Sequence, residues 1–196
     1  MNTPVRIGVL GTHSTSKTTL LKRIEMELRG HGLAVARTGR LAKRAVGVGL
    51  PKMQHHTEMS TEWIIAQGIA DEIACAAQGT HVVLADRAAP DALAYYFAAL
   101  EFRGEHAEPM AMERLRLLAA TQYAKYDLLL ATVLDPSVPV DQGHDYDARF
   151  RALVDQHVHA LLEDEKLDHL RVTSHSRSTA AAIQRAVEIG LKGVAA

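Results

Sequence analysis

The nine residues GTHSTSKTT, Gly11 to Thr19, follow the apolar run VRIGVL and have types and spacing suited to holding phosphate. The relevant pattern is a glycine, four arbitrary residues, then Gly-Lys and a Ser or Thr. Gly11, Thr12, His13, Ser14, Thr15, Ser16, Lys17 and Thr18 satisfy it except at Ser16. Such chemistry needs backbone N–H groups turned inward around a phosphate and a helix amino terminus facing the same anion. It also needs an ammonium for the outer phosphates and a hydroxyl for magnesium. Lys17 and Thr18 stand where the last two are required. Glycine at position 16 would tolerate any backbone angle. Serine adds a Cβ that costs little only if the local angles are ordinary, and its hydroxyl can itself donate to phosphate. The plainer alternative is a strand-to-helix turn in which Thr15 or Ser16 caps the helix.

The elements that must position this loop are legible as alternating patterns. Val5 to Leu10 reads as a strand buried on both faces, and Leu20, Leu21, Ile24 and Leu28 form one stripe of the following helix. LAVAR, residues 33–37, is a short second strand, followed by the basic helical stretch GRLAKRAVG and the irregular GVGLPKMQHH. From Thr57 to Gly79 a long helix carries Ile65, Ile69 and Ile73 at four-residue spacing, before the strand HVVLAD. Helices over 88–100 and 112–126 precede a fourth strand in YDLLLATVLD. The turn-rich PSVPVDQGHDYD suits a flap. Beyond it come a helix with Phe150, Leu153, Val154, His157, Val158, Leu161 and Leu162 on one side, a last strand in HLRVTS and a last helix over 179–191. Alternation without linker or repeat predicts a single domain over 1–196, a three-layer α/β/α fold with a mainly parallel five-stranded sheet.

Composition narrows the function. Lys plus Arg number 22 against 23 Asp plus Glu, a net charge of -1, so bulk nucleic-acid binding is not expected and any anion must meet a local site. The single Cys75, in IACAA, reads as a small core residue in a reducing compartment. No run of about eighteen uncharged apolar residues occurs, so a cytoplasmic protein without membrane contact is expected. The histidine pairs His55-His56 and His157-x-His159 do not share a face and lack cysteine partners, which disfavours zinc.

GTHSTSKTTL resembles the loop of P-loop nucleoside and nucleotide kinases, particularly small AAA-type kinase-like ATPases related to bacterial ribosylnicotinamide kinase. HVVLADRAAPDALAYY, ending at Tyr96, resembles the strand with Asp-Arg and the following helix of thymidylate kinase and deoxynucleoside kinases. The order of the remaining elements extends the resemblance over nearly the whole chain. It implies ATP and Mg2+ as cofactors, held by Gly11, His13, Ser14, Thr15, Ser16, Lys17, Thr18 and Thr19. The expected activity is phosphoryl transfer to a nucleoside or nucleoside monophosphate. Asp86, at the carboxyl end of its strand, would share magnesium with Thr18 or accept a proton; the alternative is a helix cap. Arg87 would clamp a phosphate or an acceptor oxygen, or else form a surface salt bridge. Asp91 and Tyr95 follow on the same helix, and one of Tyr95 and Tyr96 would reach the acceptor while the other enters the core.

Trp63 would stack on a base or pack in the core. In the cluster Arg37, Arg40, Lys43 and Arg44, Arg40 and Arg44 share a helical face and would bind an acceptor phosphate or be solvated. Many family members carry an acceptor-side glutamate in this region, whereas no acidic residue lies between Glu27 and Glu58. This departure leaves Asp86 as the remaining base. The segment 136–151, with Asp141, Gly143, Asp145, Arg149 and Arg151, resembles a lid whose arginines stabilise the transferring phosphoryl group. Ser174 to Arg177 sits where relatives contact adenine, and pairing of two copies through the helix 57–78 is a further expectation. Competing readings are a stand-alone ATPase or GTPase, and a nucleotide-binding regulatory module. A GTPase would carry Asn-Lys-x-Asp or Thr-Lys-x-Asp, neither of which occurs.

Overall fold

In the computed structural model, residues 3–138 and 147–195 are described. Five strands, β1 (Val5–Leu10), β2 (Val35–Arg37), β3 (Val82–Asp86), β4 (Leu128–Thr132) and β5 (Leu170–Val172), form one sheet in the order β2-β3-β1-β4-β5. Every pairing is parallel, with Val9 opposite both Asp86 and Leu130. β1 is buried throughout, as a central strand covered on both faces must be.

The helices are α1 (Lys17–Gly30), α2 (Leu41–Gly47), α3 (Glu58–Ala77), α4 (Ala89–Arg103), α5 (Pro109–Tyr123), α6 (Ala148–Asp164) and α7 (Ser176–Ala195). On one face, Leu21, Ile24 and Leu28 of α1 and Ala182, Ile183 and Ala186 of α7 pack with Ile7, Val9 and Leu84. On the other, Tyr95 and Ala98 of α4 meet Phe150, Val154 and Val158 of α6 over Leu10 and Leu129. A third cluster joins α3, α4 and α5 through Ile65, Leu93 and Leu115. This is the three-layer fold that the alternation of patterns implies, with β1 ending at its centre.

Several boundaries move. β2 is three residues long, α5 starts at Pro109 because proline suits the first turn and Glu108 caps it, and Met53–His55 form a 3₁₀ turn inside the irregular stretch. The stripe on α3 also rotates. Ile65 is buried but Ile73 is 52% exposed, because Glu72 turns inward to Tyr126 and Arg6, and the next residue, some 100° further round, faces out. Cys75 is half-buried. Residues 139–146, including Asp141, Gly143 and Asp145 of the expected flap, lie outside the described residues.

Candidate phosphate-binding site

The loop between β1 and α1 departs from ordinary backbone angles. Ser14 (φ 55°) and Ser16 (φ 59°) are both left-handed, a conformation costing a residue with a Cβ about 1–2 kcal/mol. The condition under which serine would be free at position 16 is therefore not met, and the glycine of the pattern has a physical reason. No side chain caps α1: Ser16 occupies the cap position without a side-chain bond. Thr15 instead donates its hydroxyl to Thr12 O at 2.8 Å, and its Oγ1 lies 2.7 Å from that of Thr132. The first-turn N–H groups of α1 thus have no capping side chain, which leaves them suited to an anion.

The loop is held from three sides. Gly11 N donates to Asp91 Oδ1 at 2.9 Å. Gly11 is at φ 137°, and a Cβ there would lie 2.0 Å from Thr132 Oγ1, so only glycine fits beside β4. On the third side, Arg151 Nε donates to His13 O (3.2 Å) and Nη2 to Ser14 O (2.9 Å), while Thr12 Oγ1 donates to Arg151 O (2.9 Å). Arg151 is buried in the first turn of α6, rather than standing on a flap, because these loop carbonyls engage it. The His13 ring stacks on Phe150, with centroids 6.3 Å apart. Burial first, then Lys17, Arg87 and Arg151, lower its pKa to about 3, so it is neutral at pH 7.

Lys17 is buried. Its ammonium donates to Thr12 O and, at 3.3 Å, to Thr15 Oγ1. Burial and then Arg87 bring its pKa down to about 7, against the opposing pull of Asp91, Asp86 and Asp155. An anion beside it would push the value back up.

One stripe of α4 and Arg87, two residues before the helix, form a wall. Arg87 Nη1 donates to Asp91 Oδ2 at 2.8 Å, and its guanidinium lies 4.8 Å from the Tyr95 ring centroid. Arg87 itself has φ 74°. On one side of this wall lies a cavity of about 980 Å³ lined by Ser14 to Thr19, by Arg37 to Lys43 and by Asp86. Its lining carries six cations, Lys17, Lys22, Arg37, Arg40, Lys43 and Arg87, against one carboxylate, Asp86. On the other side is a cleft of about 40 Å³ between α2, α3 and α4, lined chiefly by Leu41, Met53, Ile64, Ile65 and Ala92, with His56 and Glu72 as buried polar groups. Arg87 lines both.

Asp86 does not cap α4, whose cap position is Ala88; it accepts from Arg37 Nη2 at 2.7 Å. Tyr95 lines the cleft and Tyr96 packs in the core. Arg40 stands at the start of α2 in the larger cavity, whereas Arg44 is drawn off by Asp71. Trp63 packs in the α3–α5 cluster, and Arg149 lies over the Phe102 ring at 5.4 Å. Ser174 donates to Asp135 and Arg177 is exposed in α7. These last five residues, Arg44, Trp63, Arg149, Ser174 and Arg177, line neither cavity. Thr132, Glu72, His56 and Lys22 were not anticipated. A threonine closing an apolar strand and a glutamate inside an apolar helical stripe were the available signals. Among the described residues no three metal-ligating side chains cluster.

A family model described as an AAA domain matches residues 6–179. No curated protein matches. Among solved structures, one described as the crystal structure of NadR protein in complex with NR aligns with a TM-score of 0.69 and 14% identity, covering 95% of this chain and 52% of that one. The chain thus spans about half the length of that relative, and the likeness is one of fold. With its loop of left-handed serines and buried lysine between β1 and α1, the chain belongs to this AAA domain family and has a P-loop NTPase fold.

Proposed function

We propose that the protein is a phosphotransferase that moves a phosphoryl group from ATP, with magnesium, to a small-molecule acceptor, a nucleoside or nucleoside monophosphate. The observation that carries this is Arg87, fixed by Asp91 and Tyr95 in the wall shared by a cation-lined cavity and an apolar cleft. A cation at that boundary serves two ligands at once, which hydrolysis by water alone does not require.

The residues fit the donor. The uncapped start of α1 and Lys17 suit the outer phosphates, and Thr18 and Asp86 offer a hydroxyl and a carboxylate in one cavity for a cation that keeps most of its ligands from water and phosphate. When bound, ATP supplies the phosphoryl group and magnesium offsets its charge. The chain's own contribution is positioning and charge: Lys17, Arg87, Arg40 and Lys43 line the cavity proposed for the phosphates, and Asp86 can take a proton once Arg37 releases it. A cytoplasmic setting and pairing through α3 belong to the same reading.

The Arg37–Asp86 ion pair favours a second reading, a nucleotide-binding module without turnover, since Arg37 and magnesium compete for one carboxylate. The deciding experiment supplies ATP and magnesium with a panel of nucleosides, deoxynucleosides, their monophosphates and nicotinamide riboside, and follows product masses, with Lys17→Ala as control. A phosphorylated product absent from the control supports the kinase reading and names the acceptor. ATP binding without product on any acceptor overturns it in favour of the module.

A further inference from the structure

We infer that Arg151 is a positioning residue that holds the phosphate loop in its anion-binding shape from behind, through the carbonyls of His13 and Ser14, rather than a ligand of the transferring phosphoryl group. The inference rests on the reading of Gly11–Thr18 as a nucleotide phosphate site.

A loop that turns successive N–H groups toward an anion must turn the matching carbonyls away from it. Where that outer side is buried, the carbonyls need donors of their own. Arg151 is 6% exposed and supplies two, Nε to His13 O and Nη2 to Ser14 O. Both bonds fall at the crest of the loop, where Ser14 is held at φ 55°. Non-glycine residues persist in such angles only when their surroundings fix them. The same bonds act through the peptide groups. The carbonyl of His13 shares its peptide unit with the N–H of Ser14, and that of Ser14 with the N–H of Thr15. A guanidinium on each oxygen polarises the unit and strengthens the N–H on the opposite, anion-facing side. Thr12 Oγ1 returns a bond to Arg151 O, so loop and helix are tied in both directions.

The test is calorimetric titration of the full chain and of Arg151→Gln, Arg151→Lys and Thr12→Val with ADP and with a non-hydrolysable ATP analogue. Arg151→Gln is expected to weaken both ligands equally, by about tenfold to a hundredfold, the range for losing bonds to a charged group. Arg151→Lys should fall between it and the wild type, and Thr12→Val should lose about fivefold, again equally for both. Stoichiometry should stay at one ligand per chain, whereas a merely unfolding substitution would lower stoichiometry and leave affinity unchanged. A loss confined to the ATP analogue would overturn the inference, because it would mark a contact to the outermost phosphate. Wild-type affinity in Arg151→Lys and Thr12→Val would overturn it too, even if Arg151→Gln does not fold. Failure of the wild type to bind either nucleotide is a separate result that removes the phosphate-site reading itself.

Discussion

The two cavities beside α4 are built by opposite means. The larger is shaped by backbone, a loop of left-handed residues and a helix start, and is lined by six cations. The smaller is shaped by side chains from α2, the 3₁₀ turn, α3 and α4, and is largely apolar. Backbone-built sites are specific for charge and indifferent to what carries it, while side-chain-built clefts select shape. On the proposed function, the contrast divides the labour of a transferase, with a common anion on one side and a particular body on the other. At about 40 Å³ the cleft has far less room than the phosphate side, at about 980 Å³.

Asp91 belongs to both sides, and its removal should have the largest effect. In Asp91→Ala the N–H of Gly11 and the guanidinium of Arg87 lose their partner together; with Arg87 partly exposed, a destabilisation of about 2–4 kcal/mol is expected in urea unfolding, together with weaker ADP binding. If ADP affinity were untouched, the wall would not couple the two sides. pH is the next lever. His13 and His56, lowered to about 3 and about 4 chiefly by burial, exclude a proton that the unfolded chain accepts near 6.5. Their contribution to stability should thus be level above pH 6.5 and decline as pH falls toward 4, by at most about 1.4 kcal/mol per unit for each histidine, while buried Lys17, lowered to about 7, adds a separate rise as pH climbs above 7. His56→Gln should roughly halve that slope, read as thermal midpoints across the range.

Gly68→Leu separates the cavities. A Cβ at Gly68 already approaches Leu41 Cδ1 at 3.3 Å in the cleft wall, so the added side chain should raise the acceptor KM by about tenfold while ADP affinity stays as it is. Equal loss of both would dissolve the distinction between the sides. The smallest effect belongs to Ser16→Gly. Releasing a left-handed serine gains about 1–2 kcal/mol, and the freer unfolded glycine takes back roughly 0.4–1, so a net gain below about 1.5 kcal/mol is expected in the urea midpoint. Destabilisation would show that the Ser16 side chain makes a bond of its own.

The backbone-built half was legible in the sequence because it is local. VRIGVL, GTHSTSKTT and the stripe of Leu20, Leu21, Ile24 and Leu28 are contiguous, and spacing alone places Lys17 and Thr18 beside the same turn. The parallel direction of the strands followed from alternation, since parallel strands need crossovers. The cleft was illegible for the converse reason. Glu72 meets Tyr126 and Arg6 from 54 and 66 residues away. Types without distances also misdirected attention among the arginines. Arg37, Arg44 and Arg151 look alike in the sequence, yet one holds Asp86, one Asp71 and one the loop.

The six cations of the larger cavity bear on speed as well as affinity. A chain of net charge -1 exerts no long-range pull on a nucleotide, but a concave cation-lined wall concentrates potential at its mouth, and its reach is set by the screening length, about 10 Å at 0.1 M salt. Association with anionic ligands should therefore slow steeply as salt rises while dissociation changes little. The rate of capture is written into the cavity wall and is invisible in the overall charge.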